Sequence, residues 1–403
     1  MHAHHHPRTR RGVVCCGVLG AWAVACSTAL PCPTAQTAMA HAHDGERVFI
    51  RACLECHTAS GGSGLDLTAP GVLQRRALTA AKVVRDGTMP PWLPNAHGAS
   101  LRDARALTAS DRAALVQWLE SGAAQTIASV PSAVSQDSPA VVTVRLAEGW
   151  RLPADPGLTV RSFALTPEID HPTLVGGFEL VADAPGVVHG VSFLWDQLGY
   201  GVRLDNSESA PGYDAVGDIG LNASGSAGAI SRLAPRVTLP RGYAIEIPMR
   251  AALIVEAHAQ GRGKVESPAA TIRFLPAPPN ARVLRPLSMN RALGATLADA
   301  SEAVAVSVRA GPRVQSIEVV AIDLSGSTVR LLEIPRWNEQ FAEPWFFDPP
   351  VALCAGTRLE VRSTVNPAAE LVPLDAHATA MSEPTVVVLV ADELRPESHK
   401  TPN

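Results

Sequence analysis

The chain has 403 residues, a formal net charge of -4 and a hydrophobic fraction of 46%. This length is too great for one ordinary domain and predicts two or three, each with its own core. Acidic and basic residues form no long runs of one sign, which excludes a binder of nucleic acid or of membrane surfaces that depends on a polybasic segment.

The first 40 residues have the pattern of an export signal. Basic residues come first, an apolar run follows as far as Ala25, and Ala38-Met39-Ala40 supplies a small-x-small cleavage site before His41. We therefore expect a signal peptide over residues 1–40 and a periplasmic or secreted mature chain. The apolar run is short for a membrane span, so no span is expected in the mature form. Cys26 sits in a poor lipobox, which leaves a lipid anchor as the alternative.

The seven cysteines form no disulfide framework, although the expected compartment would permit one. Four of them lie in the predicted leader, at Cys15, Cys16, Cys26 and Cys32. Of the other three, Cys53 and Cys56 form a single CxxC pair and Cys354 stands alone.

Helical periodicity dominates residues 41–122. The apolar spacing predicts helices over 46–55, 74–86 and 110–121, with Thr108 or Ser110 as the cap of the last one. Between the second and third helices, the segment 87–94 contains three prolines, which forbid a helix and predict a stiff extended loop.

The segment Cys53-Leu54-Glu55-Cys56-His57 has the spacing of a covalent haem attachment site. Two thiols on one helical turn can form thioethers with the two vinyl groups of a haem, and the adjacent His57 can bind the iron. A zinc site is the alternative for a CxxC pair, but zinc needs a second pair of ligands, and none follows in this segment. A redox dithiol is the other alternative.

The second iron ligand is expected on the proline-rich loop. Met89 lies 32 residues after His57, and a thioether suits Fe(II) and raises the reduction potential. His97 is the rival ligand, and an iron with an open position is the third alternative. Three nearby aromatic residues are expected to pack against the haem or the helices: Phe49, Trp92 and Trp118.

After a linker at 123–140, rich in Ala, Ser, Gln and Pro, the residue pattern becomes that of β-strands. Short runs bounded by Gly, Pro or Asp predict strands at 141–146, 158–165, 187–195, 243–257, 270–275, 302–309, 314–323, 357–365 and 384–391. The proline-rich stretch 276–280 divides this body into two nearly equal parts, each long enough for one β-sandwich.

Residues 44–122 resemble a class I bacterial cytochrome c whose distal loop has the sequence MPPW. The body resembles the ascorbate-dependent copper type II monooxygenases, the group of peptidylglycine alpha-hydroxylating monooxygenase, in which bacterial members carry such a cytochrome. The segments behind this second resemblance begin at Val187, Glu256, Trp337, Ala355 and Ala380. The two resemblances imply a multidomain fold, with a small all-α cytochrome c domain at 41–122 followed by an all-β body of two β-sandwiches, at 141–277 and 281–396.

The monooxygenase resemblance implies copper as a second cofactor, with an incomplete ligand set. At the first copper site, the family's paired histidines correspond to His189 followed by Gly190, and a further histidine corresponds to His258. At the second site, the family's His-x-His corresponds to residues 321–323, which contain no histidine, while Met381 matches the methionine. Copper generally requires three nitrogen or sulfur ligands from the protein, so the second site looks lost.

Three functions follow from these patterns. The leading one is an exported monohaem cytochrome that exchanges electrons with a redox partner protein or a small donor. The second is an oxidoreductase in which the haem supplies electrons to copper for hydroxylation of a small substrate. The third is a body that binds a ligand or partner and docks the haem unit there.

Overall fold

We describe the chain from a computed structural model, for residues 35–54, 56–58, 63, 65–102, 105–122, 139–146, 148–154, 158–184, 186–214, 226–232, 235–311, 313–338, 343–366 and 384–392. These residues form four helices: α1 (Ala35–Cys53), α2 (Val72–Arg85), α3 (Ala109–Glu120) and α4 (Tyr200–Ser207). The structure is mostly β, with 44% strand and 16% helix.

The strands fall into two groups. The first group contains the short strand β1 (Leu101–Arg102), which precedes the body. It also contains the strands of the first half of the body (141–277), which are β2 (Val142–Leu146), β3 (Leu158–Leu165), β4 (Thr173–Ala182), β5 (Val188–Asp196), β6 (Ser226–Ser231), β7 (Arg236–Thr238), β8 (Tyr243–Ile247), β9 (Ala252–Gln260) and β10 (Ala270–Pro276). Those of the second half (281–392) are β11 (Arg282–Val283), β12 (Arg285–Asn290), β13 (Ala295–Thr296), β14 (Ser301–Arg309), β15 (Val314–Ile322), β16 (Thr328–Ile334), β17 (Pro344–Leu353), β18 (Arg358–Val365) and β19 (Thr385–Asp392).

Helices α1 and α3 cross closely because Gly45 lies at their contact. A Cβ atom at this position would stand 2.3 Å from Cβ of Trp118 and 2.6 Å from the carbonyl oxygen of Ala114, so only glycine fits. The rings of Phe49 and Trp118 then pack with centroids 5.2 Å apart. Around them lies the helical core, whose buried members are Val48, Phe49, Leu54, Leu67, Leu73, Ala81, Val84, Leu115, Trp118 and Leu119.

Helix α3 begins with a capping box, as the sequence allowed. The hydroxyl oxygen of Thr108 accepts a hydrogen bond from the backbone N–H of Asp111 at 3.0 Å, and the carboxylate of Asp111 accepts one from the N–H of Thr108. Two N–H groups that the helix leaves without partners are thereby satisfied. Of the two predicted caps, Thr108 is therefore the one that acts.

The strands form four small sheets in a propeller-like ring. The first half supplies the sheets β3-β9-β5-β6 and β8-β4-β10-β2, and β7 also pairs with β4. The second half supplies β13-β18-β15-β16 and β17-β14-β19-β12. Two pairings cross these groups, because β11 joins β8 of the first half and β1 joins β17 of the second.

The two halves of the body share a core through β19. Its residues Val387 and Leu389 belong to the hydrophobic cluster that fills the first half, together with Val304 and Phe346 of neighbouring strands. The alternate residues, such as Val388, belong to the cluster of the second half. A strand places successive side chains on opposite faces, so β19 is buried on both sides, between two cores.

Residues 92–102, which follow the two adjacent prolines, lie against the second half of the body, and together with Arg105 we call them the docking segment. Its strand β1 pairs Leu101 with Phe347, and Trp92, Leu93 and Ala99 pack against the second-half cluster. Residues predicted to belong to a helical domain thus complete the core and a sheet of the body.

The predicted fold class is therefore wrong. No small, self-contained all-α cytochrome domain is seen in the described part of the chain, because residues 92–102 pair and pack with the second half. Nor is the body a pair of separate β-sandwiches, since the sheet β17-β14-β19-β12 contributes residues to the cores of both halves and β11 bridges the halves. Periodicity revealed which residues are buried but not which element they are buried against.

Candidate functional site

The two cysteines of the CxxC pair lie at the end of α1, within one helical turn. The backbone N–H groups of Cys56 and His57 both donate to the carbonyl oxygen of Cys53, at 3.2 and 2.9 Å. Neither thiol is in a disulfide; Cys56 is buried and Cys53 is half-buried at the margin of the helical core. The turn therefore presents both sulfur atoms and the imidazole from one short segment of the chain.

Burial raises the pKa of the Cys53 thiol to about 12, and the neighbouring Cys56 adds to the increase. Redox-active CxxC pairs need a lowered thiol pKa, which a helix N-terminus or a nearby cation supplies. Cys53 instead sits at a helix C-terminus beside an apolar core. The environment therefore disfavours a redox dithiol.

The imidazole of His57 is held through one of its two nitrogens. Its Nδ1 lies 3.0 Å from the carbonyl oxygen of Leu65 and 3.0 Å from the hydroxyl of Ser63. Since a carbonyl oxygen can only accept, Nδ1 carries the proton in the bond to Leu65. The lone pair is then on Nε2, which is the arrangement found in histidines that bind a metal through Nε2.

Met89 borders the same helical core as Cys53. The loop that carries it is fixed at the C-terminus of α2, where the N–H groups of Thr88 and Met89 both donate to the carbonyl oxygen of Val83. The structure thus brings the predicted distal ligand and the attachment cysteine to one apolar cluster.

The rival ligand His97 lies elsewhere, at the surface of the docking segment. Its Nδ1 is 3.2 Å from a carboxylate oxygen of Glu333 in β16, and 69% of its side chain is exposed. Trp92 likewise packs against the body, whereas Phe49 and Trp118 are buried in the helical core. Of the three aromatic residues, only the last two are placed for packing near Cys53.

A cleft of about 600 Å³ opens on the other side of the Met89 loop, between the helices and the docking segment. Pro90 and Trp92 line it from the loop, and Arg105 and Arg112 line it from the segment before and within α3. The guanidinium of Arg105 lies 5.9 Å from the centre of the Trp92 ring and pairs with Glu343. The cleft shows that the loop has a core on one side and solvent on the other.

The two histidines of the predicted first copper site are brought close together. His189 is the extra residue of a β-bulge in β5, opposite His258 and Ala259 of β9. Burial, together with the smaller effects of the positive charges of Arg232 and His258, lowers the pKa of His189 to about 4. His189 is therefore neutral at physiological pH, as a metal ligand must be.

The surroundings of these histidines are rich in cations. Nε2 of His258 lies 2.9 Å from a carboxylate oxygen of Glu256, whose same oxygen is 3.2 Å from the guanidinium of Arg309. Among the described residues, no group of three or more His, Cys, Asp or Glu side chains is arranged to hold a metal ion. Glu256 is thus already paired within the protein, with His258 and Arg309.

The second predicted copper site is described only in part. Asp323 follows β15 and stabilises a turn, where its carboxylate accepts hydrogen bonds from the N–H groups of Ser325 and Ser327. Met381 lies outside the described residues, as do residues 1–34 of the predicted leader and most of the linker at 123–140. These interpretations stay predictions.

Several of the polar residues that shape the site were not foreseen from the sequence. Ser63 and Leu65, which fix His57, lie in a Ser- and Gly-rich stretch without periodicity. The pair of Arg105 and Glu343 is separated by more than 200 residues, so no local pattern could reveal it.

Comparisons with known proteins add little. No family model and no curated protein matches the chain. Among solved structures, the chain is similar to the major capsid protein P2 of bacteriophage PM2, at 10% identity and a TM-score of 0.24, over 59% of this chain and 99% of that one. It is also similar to A223, a turret protein of Sulfolobus turreted icosahedral virus, at 7% identity and a TM-score of 0.14, over 63% and 98% of the two chains. The scores are too low to support an assignment.

None of the helices in the described ranges combines the length and the apolar composition that crossing a bilayer requires.

Proposed function

We propose that the chain carries one covalently attached c-type haem on Cys53, Cys56 and His57 and that it transfers electrons. The observation that carries this proposal is the helical turn at the end of α1, with two thiols and a histidine whose Nδ1 is bonded to the carbonyl oxygen of Leu65. That bond leaves Nε2 available for iron.

The residues present fit such a group in their chemistry. Two cysteines outside any disulfide would supply sulfur for two thioethers, and the imidazole of His57 and the thioether of Met89 would hold the iron. A bound haem would supply one-electron exchange between Fe(III) and Fe(II).

The chain's own residues would set the properties of that exchange. Ser63 and Leu65 orient the ring of His57 and keep Nδ1 engaged, so that Nε2 faces the iron. The apolar residues around Cys53 and Met89 keep water away, and a low dielectric shifts the reduction potential. Haem attachment of this kind agrees with the expected export to an oxidising compartment, and the partner would be a redox protein or a small electron donor.

The test is haem retention in protein produced together with a haem-attachment system. Acidified organic solvent should leave haem on the wild-type chain and extract it from the double variant Cys53→Ala/Cys56→Ala. Cys354→Ala is the matched control, because Cys354 is an exposed cysteine outside the site. Haem that stays covalently attached to the double variant, or a wild-type chain that binds none, would contradict the proposal.

Copper binding is a second candidate, favoured by the adjacency of His189 and His258 and by the neutral state of His189. In this case the haem would supply electrons to copper for hydroxylation of a small substrate. Metal analysis of purified protein should then find copper at parity with haem iron, and loss of copper in His258→Ala. Copper-free protein with full haem would eliminate the hydroxylase, and the electron-transfer proposal would stand.

A further inference from the structure

The loop that carries Met89 is fixed at both ends, by two different parts of the molecule. At Met89 the backbone is bonded to Val83 of α2, and three residues later Trp92 packs against the second-half cluster of the body. Two prolines occupy the positions between, and three residues span at most roughly 10 Å. A displacement of Trp92 must therefore move Met89.

The docking segment is held to the body by backbone hydrogen bonds. The N–H of Asn95 donates to the carbonyl oxygen of Glu333 at 2.9 Å, and the N–H of Ala99 donates to that of Leu331 at 3.2 Å. The N–H of Asp348 donates to the carbonyl oxygen of Ser100 at 2.9 Å. The segment is thus bonded to both β16 and β17.

Gly98 permits this close approach. A Cβ atom at this position would lie 3.0 Å from the carbonyl oxygen of Leu331 and 3.2 Å from Cα of Leu332. Both atoms are backbone atoms of β16, which cannot move aside as the end of a side chain can. A larger side chain at position 98 would therefore separate the segment from the body.

A buried ion pair holds the C-terminal end of the docking segment against the body. Arg105 and Glu343 are 5% and 6% exposed, and the guanidinium contacts the carboxylate directly. Arg105 also faces the ring of Trp92, at 5.9 Å from its centre, so the pair supports the residue that ends the Met89 loop. Removal of one partner of a buried pair leaves an uncompensated charge, which is strongly unfavourable.

We propose that the β body positions Met89 as an iron ligand, so that contacts of residues 92–102 and Arg105 with the second half regulate the ligation of the haem iron. Gly98, Arg105 and Glu343 are positioning residues in this proposal, which rests on the haem function above. The body then forms part of the haem site, and the helices that carry the haem do not move independently of the body.

The experiment compares Glu343→Gln and Gly98→Val with wild type in the full-length haem-loaded protein. Exogenous imidazole competes with Met89 for the iron, so a displaced methionine raises the affinity for imidazole. We expect both variants to raise this affinity about tenfold, equivalent to about 1.4 kcal/mol. The sulfur-to-iron charge-transfer band of the oxidised protein should weaken in parallel.

Glu266→Gln is the matched control, because Glu266 is also a buried carboxylate paired with an arginine, Arg262, but lies in the first half. It should leave imidazole affinity and the band unchanged at a similar loss of stability. If the wild-type protein carries haem with Met89 as a ligand and neither Glu343→Gln nor Gly98→Val changes that ligation, the positioning role alone is overturned. A wild-type chain without covalent haem would overturn the proposed function and this proposal together.

Discussion

Glu256 of β9 and Arg309 of β14 form an ion pair of 3.2 Å that joins the two halves of the body. The carboxylate is fully buried, and the guanidinium is largely buried at the margin of the second half. The same carboxylate oxygen lies 2.9 Å from His258. A buried acid thus has cationic or hydrogen-bonding partners from both halves.

Replacement of Arg309 by methionine should therefore destabilise the whole body. Loss of one partner leaves Glu256 buried with less compensation, and breaking such a pair costs about 3 kcal/mol. Urea denaturation measures this free energy. Arg145→Met is the control, since Arg145 forms an exposed pair with Asp183 and should cost less than about 1 kcal/mol. Equal costs for the two variants would show that Arg309 is not part of a buried network.

His189 predicts a pH dependence of stability. Its pKa in the folded chain is about 4, below the ordinary value of 6.5, so the unfolded state takes up the proton first as the pH falls. Its contribution is fully present above pH 6.5 and is lost as the pH falls towards 4, by about 3 kcal/mol at most. The free energy of unfolding of wild type minus that of His189→Gln should fall across this interval. A difference that does not change with pH would mean that His189 titrates normally.

The capping box of α3 predicts a local effect on stability. Thr108→Ala removes the acceptor for the N–H of Asp111 and should cost about 1 kcal/mol. Ser110→Ala is the comparison, because its hydroxyl contacts only that of Thr108 in the cap. Thermal unfolding of the two variants measures the difference. A larger loss of stability in Ser110→Ala than in Thr108→Ala would show that Ser110, and not Thr108, caps the helix.

The positions of many elements could be predicted from the sequence. The helix at 74–86 is found at Val72–Arg85, and the strand at 158–165 is found at Leu158–Leu165. Both have strong apolar periodicity, which depends on local spacing alone. The strand β17 was missed because its two adjacent prolines, Pro349 and Pro350, argue against a strand in a sheet. The partners of the strands were also out of reach, since β1 joins β17 across more than 200 residues of sequence.

The candidate site was predictable to a similar extent. Three of its donor residues, Cys53, Cys56 and His57, lie within one short segment and therefore stand out in the sequence. The acceptor for His57, the backbone carbonyl of Leu65, carries no side-chain signature and appears only once the chain folds. The docking of the Met89 loop on the body is equally a property of the fold.

Met89 and His97 make opposing predictions as distal ligands. Met89→Ala should abolish the sulfur-to-iron band and lower the reduction potential, because the thioether favours Fe(II). His97→Ala should change neither property, since the imidazole is exposed beside Glu333. Optical titration of both variants separates the two ligands. A wild-type protein without this band, whose spectrum changes in His97→Ala and not in Met89→Ala, would place the iron on the His97 side of the loop.

The most direct test of the account is the mass of the peptide that contains residues 53–57, isolated by proteolysis of protein produced with a haem-attachment system. We predict that this peptide carries the added mass of one intact haem and that the corresponding peptide of the Cys53→Ala/Cys56→Ala variant does not. An unmodified peptide in the wild-type protein, with both cysteines still reactive to a thiol reagent, would contradict the central claim.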